Sequence, residues 1–146
     1  MKSITSAITS VGGYVPETVL TNFDLEKMVD TNNEWIISRT GIKERRILKD
    51  KSLGTSFMAI NAANKLLQEK DVDPTSIDLV IVSTATPDMP VSSTASFVAT
   101  EIGASNAFGY DIQGACSGFL FGMSAACAHI CSCLLYTSDA ADDGVG

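Results

Sequence analysis

The sequence has little positive charge, a single histidine and no long apolar run. The chain has 10 lysines and arginines and 17 aspartates and glutamates, which gives a net charge of −7. That balance argues against a nucleic-acid partner, because phosphate binding requires a basic surface. No apolar run approaches the ~18 residues that span a bilayer, and Lys2 is not followed by the apolar segment of a secretory signal. These absences predict a cytoplasmic protein with neither a membrane nor a nucleic-acid partner.

Cysteine is also scarce over most of the chain. The four cysteines lie in the last third, at Cys116, Cys127, Cys131 and Cys133. This crowding differs from the distributed cysteines of a small secreted domain held by disulfides. We therefore expect reduced thiols.

Apolar periodicity and turn residues predict an α/β fold. The expected strands are 4–11, 79–82 and 108–113. Short helices are expected from Thr21 or Asn22 to about Val29, and from Asn32 or Asn33 to Gly41. Longer helices are expected over 54–69, 92–102 and about 117–130. This alternation of strands and helices is typical of layered α/β architecture.

One basic cluster, Lys43 to Arg46, interrupts the acidic background. Glu44 divides it, so the cluster is typical of a solvated turn. The alternative is a local contact for an anionic ligand or carrier protein.

The stretch DIQGACSGF, residues 111–119, places Cys116 between a predicted strand and a predicted helix. A helix N-terminus offers unpaired N–H groups and a dipole that favour a thiolate. The small neighbours Gly114, Ala115, Ser117 and Gly118 leave room for a substrate. Free cysteine is also among the most buried residue types, so a packed core thiol is the alternative to a nucleophile.

Four segments together resemble one enzyme family. DTNNEWIISRTGIKERRI, residues 30–47, resembles the TxxEWI-xxRTGIxxR signature of the β-ketoacyl-acyl carrier protein synthases III. ITSVGGYVPETVLTN, IDLVIVSTATPDMP and DIQGACSGF fit the same family in order. The resemblance covers about residues 1 to 130. It implies a thiolase-like layered α/β/α fold, of which this chain would be the N-terminal half of a pseudo-symmetric pair.

The resemblance also implies an activity. The parent enzyme would condense an acyl-CoA primer with malonyl-acyl carrier protein to start fatty acid synthesis, as a homodimer without a cofactor. Cys116 would accept the acyl group as a thioester. Trp35 falls on the residue that stacks on the adenine of coenzyme A, while Thr31 and Arg39 fall near its nucleotide and phosphates. From the sequence alone, Trp35 is equally compatible with a core aromatic on an amphipathic helix.

In this family a histidine and an asparagine beside the cysteine promote decarboxylation of the malonyl group. Both belong to a second half that this chain does not contain. His129 is no substitute, because it lies 13 residues beyond Cys116 on the same predicted helix, about 20 Å away. We therefore expect the chain alone to lack condensing activity, with weak acyl transfer to Cys116 at most.

A different class of function is a small metal-binding protein. Cys127, His129, Cys131 and Cys133 are soft ligands of the kind that zinc prefers. On a continuous helix, however, His129 points about 200° away from Cys127, so the four ligands cannot converge without unwinding.

The C-terminal end of the chain differs from the rest. Residues 133–146 depart from the family pattern, and CLLYTS can be encoded by TGT CTC TTA TAC ACA TCT, the end of a transposase sequencing adapter. We therefore expect a family segment over 1–132 and a translated adapter over 133–146, the alternative being a natural unstructured terminus.

Val91 lies near the phenylalanine that shapes the acyl pocket in many relatives. Its smaller side chain predicts room for acyl groups longer or more branched than acetyl.

Overall fold

A computed structural model of the chain describes residues 5–132. The elements follow the order β1 Thr18–Thr21, α1 Asn22–Glu26, α2 Asn33–Thr40, β2 Glu44–Ile47, α3 Thr55–Lys70, β3 Leu79–Ser83, α4 Thr94–Glu101, β4 Phe108–Ile112 and α5 Gly118–Cys131. Short 3₁₀ turns at Pro74–Ser76 and Ala115–Ser117 precede β3 and α5. The segment predicted to be adapter, 133–146, lies outside the described residues, and that prediction stays untested.

The central layer is a parallel pair of strands. β3 and β4 run side by side, with Leu79 opposite Phe108 and Ser83 opposite Ile112. Successive side chains along each strand point to opposite faces of the sheet, and helices cover both faces. Gly109 on one face meets α4, whereas Tyr110 on the other face contacts His129 of α5. These contacts give the helix, sheet and helix layers that the sequence predicts.

The core lies between this sheet, α3 and α4. Its buried members are mostly small or β-branched: Leu67, Val82, Ala95, Val98, Ala99, Ile102 and Ala104. α4 approaches β4 so closely that a Cβ at Gly109 would lie only 3.1 Å from Ala95 Cβ. A small residue on each side of the contact therefore sets the distance between the helix and the sheet.

Both short helices begin where their capping residues predict, and the second also ends there. The Thr21 side chain accepts a hydrogen bond from Asp24 N–H, and Asn32 accepts one from Trp35 N–H. Gly41 ends α2 with φ +70°, a conformation that glycine adopts without strain. The first helix ends at Glu26, earlier than the predicted Val29.

A second, antiparallel pair of strands was not predicted. β1 pairs with β2, with Thr18 opposite Ile47 and Thr21 opposite Glu44. The interpretation of Lys43 to Arg46 as a solvated turn is therefore wrong, because most of that cluster forms β2. Arg46 donates to the Glu17 carbonyl at 3.1 Å, so its guanidinium binds the chain itself.

The buried Asn22 joins this antiparallel pair to α2. Its side-chain amide donates to the Ile42 carbonyl at 2.8 Å and to Asn33 Oδ1 at 3.0 Å. Its Oδ1 accepts from Arg45 at 2.8 Å. Every polar atom of this fully buried amide is thereby satisfied, as burial of a polar side chain requires.

The predicted strand over 4–11 is absent from the described part of that segment. Residues 5–11 have no ladder partner, and Ile8 and Val11 are 68% and 76% exposed. A strand requires a neighbour for its backbone hydrogen bonds, and residues 5–132 provide none at this position. Separately, none of the helices in that range is both long and apolar enough to cross a membrane.

Candidate active site

Cys116 lies in the turn that joins β4 to α5. β4 ends at Ile112, the 3₁₀ turn spans Ala115–Ser117, and α5 begins at Gly118. Ala115 has φ +44°, a left-handed conformation that alanine rarely adopts. The Cys116 side chain is exposed. In this chain the cysteine is therefore not a packed core thiol, and the predicted strand-to-helix position is confirmed.

Two glycines keep this turn tight. A Cβ at Gly114 would lie 2.5 Å from the Phe121 ring and 3.1 Å from Gly118 Cα. Ser117 N–H also donates to the Gly114 carbonyl at 2.9 Å, which closes the turn. A side chain at Gly114 would displace the Phe121 ring and press on the Gly118 backbone, so the position of Cys116 depends on the absence of a side chain there.

The turn is anchored to the end of β3. Ser83 Oγ donates to the Gly118 carbonyl at 2.8 Å. A Cβ at Gly122 would lie only 2.9 Å from Ser83 Oγ. Thr84 N–H donates to the Ile112 carbonyl at 3.1 Å. The carboxyl ends of parallel strands meet at one edge of a sheet, so the loop after β3 starts beside the cysteine turn.

Asp111 anchors the same edge to α4. Its carboxylate accepts from Thr94 N–H and Ala95 N–H, each at 2.8 Å, and from Ser93 Oγ at 3.2 Å. Burial by itself raises the pKa of the Asp111 carboxyl, but the hydrogen bonds from Thr94 and Ala95 outweigh it and lower the pKa. The sequence analysis missed this role, although Asp111 opens the DIQGACSGF stretch.

Cys116 lines an open cleft of about 990 Å³. The walls come from α3, β3 and α5 and are largely apolar: Met58, Ala59, Ala62, Leu79, Ile81, Val82, Phe119, Met123, Ala126 and Ile130. A sulfur in the wall of a largely apolar cleft has room beside it for a group that carries a hydrocarbon chain.

The start of α5 lies directly after the cysteine turn, where the Ser117 and Gly118 N–H groups donate to the Gly114 and Ala115 carbonyls. Among residues 5–132, no side chain caps α5 or the 3₁₀ turn before it. First-turn N–H groups lack partners within a helix and carry its positive dipole end. These donors suit an oxygen that becomes negative during attack on a carbonyl.

A second cavity, of about 420 Å³, lies between α3, α4 and the loop after β3. Its lining includes Phe57, Ile60, Met89 and Phe97, with Asp88 and Glu101, but neither cysteine nor histidine. Val91, predicted to shape an acyl pocket, is 98% exposed on the same loop and lines neither this cavity nor the Cys116 cleft.

The three predicted coenzyme A residues lie on or beside α2. Trp35 and Arg39 are four residues apart and therefore share a helix face. Trp35 is 56% exposed, so the alternative of a core aromatic is wrong. Thr31 is half-buried immediately before the Asn32 cap. None of the three lines the Cys116 cleft, so the structure keeps the two groups of predicted site residues apart.

The zinc alternative finds no support in the described residues. His129 Nε2 is hydrogen-bonded to Tyr110 OH at 2.9 Å, and Cys127 Sγ lies 3.8 Å from Cys131 Sγ on the same helix. Within residues 5–132, no three such side chains are grouped to hold an ion. Cys133 lies outside that range.

Curated relatives match most of the chain. It is 52% identical over 132 residues to the β-ketoacyl-[acyl-carrier-protein] synthase III of Phocaeicola vulgatus. It is 54% identical over 123 residues to the enzyme of the same name from Porphyromonas gingivalis W83. These matches cover 90% and 84% of this chain, but only 40% and 37% of the relatives. No protein-family model matches the chain.

Solved structures agree on the fold. The 3-oxoacyl-[acyl-carrier-protein] synthase III of Aquifex aeolicus superposes with a TM-score of 0.79 at 46% identity, over 84% of this chain and 39% of that one. The priming β-ketosynthase of the R1128 polyketide pathway superposes with a TM-score of 0.83 at 35% identity, over 90% and 39% of the two chains. The predicted thiolase-like fold is confirmed, for a chain about two fifths as long as its relatives.

Proposed function

The chain is a homologue of part of the β-ketoacyl-[acyl-carrier-protein] synthases III, and we propose that it carries the acyl-accepting cysteine of such an enzyme. The observation that carries this proposal is the position of Cys116. The residue is exposed in a tight strand-to-helix turn and lines an apolar cleft. A packed structural cysteine would have neither property.

The proposed step is transfer of an acyl group from coenzyme A to Cys116. The sulfur attacks the thioester carbonyl carbon, and the carbonyl oxygen becomes negative. The positive end of the α5 dipole, together with backbone N–H groups of the turn that are not bonded to carbonyls, stabilises that charge. When the carbonyl re-forms, the bond to the coenzyme A sulfur breaks. Coenzyme A leaves as its thiolate, and the acyl group remains on Cys116 as a thioester.

We propose that α2 binds the nucleotide end of coenzyme A. The exposed indole of Trp35 offers a flat face on which adenine can stack. Arg39, four residues along α2, has no salt bridge or hydrogen bond to other described residues, so its guanidinium can pair with phosphate. Thr31 adds a hydroxyl at the start of the same helix.

The second half of the reaction belongs to the whole enzyme. There, malonyl-acyl carrier protein loses carbon dioxide, and the resulting carbanion attacks the Cys116 thioester to give a β-ketoacyl product. The chain spans about 40% of its relatives' length, and its one histidine is held by Tyr110 at the far end of α5. We propose that the whole protein works as a cytoplasmic homodimer and requires no cofactor.

Intact mass spectrometry of the purified 146-residue chain tests the acyl-transfer step. The chain is incubated with acetyl-CoA, and in parallel with branched and longer acyl-CoA. We expect one added acyl group, removable by neutral hydroxylamine as a thioester is. Peptide mapping should locate it on Cys116.

Cysteine variants provide the control. Cys116→Ser should abolish the adduct, whereas Cys127→Ser should leave it unchanged because Cys127 is remote from the turn. Equal labelling of the two variants would contradict the proposal and indicate non-specific thiol acylation. No adduct on a chain with native helix content would indicate a non-catalytic fragment.

A further inference from the structure

Two thiols lie side by side on α5, outside the site proposed above. Cys127 and Cys131 are one helical turn apart, and their Sγ atoms are 3.8 Å from each other. Both side chains are exposed. Cys116 is 11 residues before Cys127, roughly 16 Å along the helix axis, so it does not belong to this pair.

A third group contacts Cys127. Ser6 Oγ donates to Cys127 Sγ at 3.1 Å, a contact that joins the N-terminal segment to α5. The hydrogen bonds from Ser6 and Cys131 lower the pKa of the Cys127 thiol. The thiolate is the form that reacts with oxidants, so the lowered pKa favours attack at Cys127.

We propose that Cys127 and Cys131 form an oxidant-sensitive dithiol that closes to a disulfide within α5 when the chain meets a hydroperoxide. The proposal concerns the chemistry of the thiol pair and does not depend on the acyl transfer at Cys116.

The reaction has two balanced steps. The Cys127 thiolate attacks one oxygen of hydrogen peroxide, so an S–O bond forms, the O–O bond breaks, and hydroxide leaves to become water on taking up a proton. The Cys131 sulfur then attacks the sulfur of the Cys127 sulfenic acid. An S–S bond forms and the S–O bond breaks, and the departing hydroxide takes up the Cys131 proton as a second water.

Closure requires the end of the helix to deform. A disulfide needs the sulfurs about 2.05 Å apart and the Cβ atoms about 3.5–4.5 Å apart. Residues four apart on a regular helix hold their Cβ atoms at about 5–6 Å. Cys131 is the last residue of α5, with Ser132 as its C-cap. Opening the final turn would break the hydrogen bond between His129 and Tyr110 of β4, but would leave Gly118 and Gly122 in place against β3.

The test uses the 146-residue chain carrying Cys116→Ser and Cys133→Ser, so that only Cys127 and Cys131 keep thiols. After treatment with hydrogen peroxide, we expect both thiols to disappear from alkylation. The monomer should lose the mass of two hydrogen atoms, and dithiothreitol should restore both thiols. Far-ultraviolet circular dichroism should show the loss of about one helical turn.

Two further variants keep the result interpretable. Ser6→Ala in the same background should slow the oxidation, because the hydrogen bond that favours the Cys127 thiolate is gone. Cys131→Ser should gain the mass of oxygen or form disulfide-linked dimers. The proposal would be overturned if the dithiol chain gains oxygen or forms disulfide-linked dimers and no monomer lighter by two hydrogen atoms is found. In the unsubstituted chain, tandem mass spectrometry that finds Cys127 paired with Cys133 or Cys116 would overturn it as well.

Discussion

The carboxylate of Asp111 accepts a 2.8 Å hydrogen bond from the N–H of Ala95, and this bond joins the end of β4 to the first turn of α4. Thr94 N–H donates to the other carboxylate oxygen at the same distance. Five residues after Asp111 the chain reaches Cys116. The residue that caps α4 from the sheet therefore also fixes the strand from which the cysteine turn departs.

Replacing Asp111 should destabilise the fold. In Asp111→Asn, one of the two N–H donors would face an amide NH₂ instead of an oxygen, so a largely buried donor would lose its acceptor. We expect the free energy of unfolding to fall by about 1–3 kcal/mol, measured by urea denaturation. Asp30→Asn, at an exposed position without a described hydrogen bond, is the matched control. A loss equal to that of the control would show that the cap is not stabilising.

The same carboxyl should make stability depend on pH. Its pKa is lowered in the folded chain relative to the unfolded value of about 3.9. A lowered pKa stabilises the folded state fully above the unfolded pKa, and this contribution disappears as the pH falls through the folded pKa. Urea titrations between about pH 5 and pH 2 should therefore show a smaller loss of stability for Asp111→Asn than for the unsubstituted chain. Parallel curves would contradict this assignment.

Gly109 should not tolerate a methyl group. A Cβ there would meet the backbone carbon and Cβ of Ala95 at 3.1 Å, so α4 would have to move away from the sheet. We expect Gly109→Ala to cost about 1–3 kcal/mol by thermal or urea unfolding, despite the better strand propensity of alanine. Gly13→Ala is the matched control, because nothing lies within 4 Å of its Cβ position.

Ala115 should tolerate glycine, with opposite effects on stability and reactivity. Its φ of +44° strains an alanine, so Ala115→Gly should raise the free energy of unfolding by up to about 1 kcal/mol. Glycine also loosens the turn that holds Cys116, so acylation by acetyl-CoA should slow while alkylation by iodoacetamide stays unchanged. Ala128→Gly, within α5, is the control and should instead destabilise the chain. Unchanged acylation in a stabilised Ala115→Gly chain would mean that the strain does not position the sulfur.

The α2 residues should matter for coenzyme A rather than for folding. Trp35→Ala and Arg39→Ala should each weaken coenzyme A binding by about 1–2 kcal/mol, or roughly 5- to 30-fold, in isothermal titration calorimetry. The matched controls are Phe23→Ala, an exposed aromatic, and Lys43→Ala, an exposed cation. Equal losses of coenzyme A affinity in the variants and their controls would contradict the proposal that α2 binds the nucleotide.

Much of the fold followed from local patterns. The apolar strands 79–82 and 108–113, the caps at Thr21 and Asn32, and the stop at Gly41 all lie within about two residues of where the structure has them. These features depend on the side chain and backbone of a few neighbouring residues, so the sequence carries them directly. The prediction of a strand over 4–11 was wrong, because a strand requires a neighbouring strand and the local sequence pattern does not show whether one is present.

The antiparallel pair of β1 and β2 was missed for the same reason. Its strands are four residues each and are separated by two helices, and ERRI in β2 has no apolar alternation to mark it. Only the fold brings Arg45 beside Leu20 and Arg46 beside Glu17, where the chain's own carbonyls accept their hydrogen bonds.

For the site, the sequence alone determined the chemical identity of Cys116, its small neighbours and its place between a strand and a helix. Tertiary structure decided that the sulfur is exposed, that Ala115 is strained and that Asp111 and Ser83 fix the turn from two other elements. The sequence states which residues adjoin along the chain. The contacts that anchor the Cys116 turn join residues 16 to 35 positions apart, and these meet only when the sheet and its helices pack together.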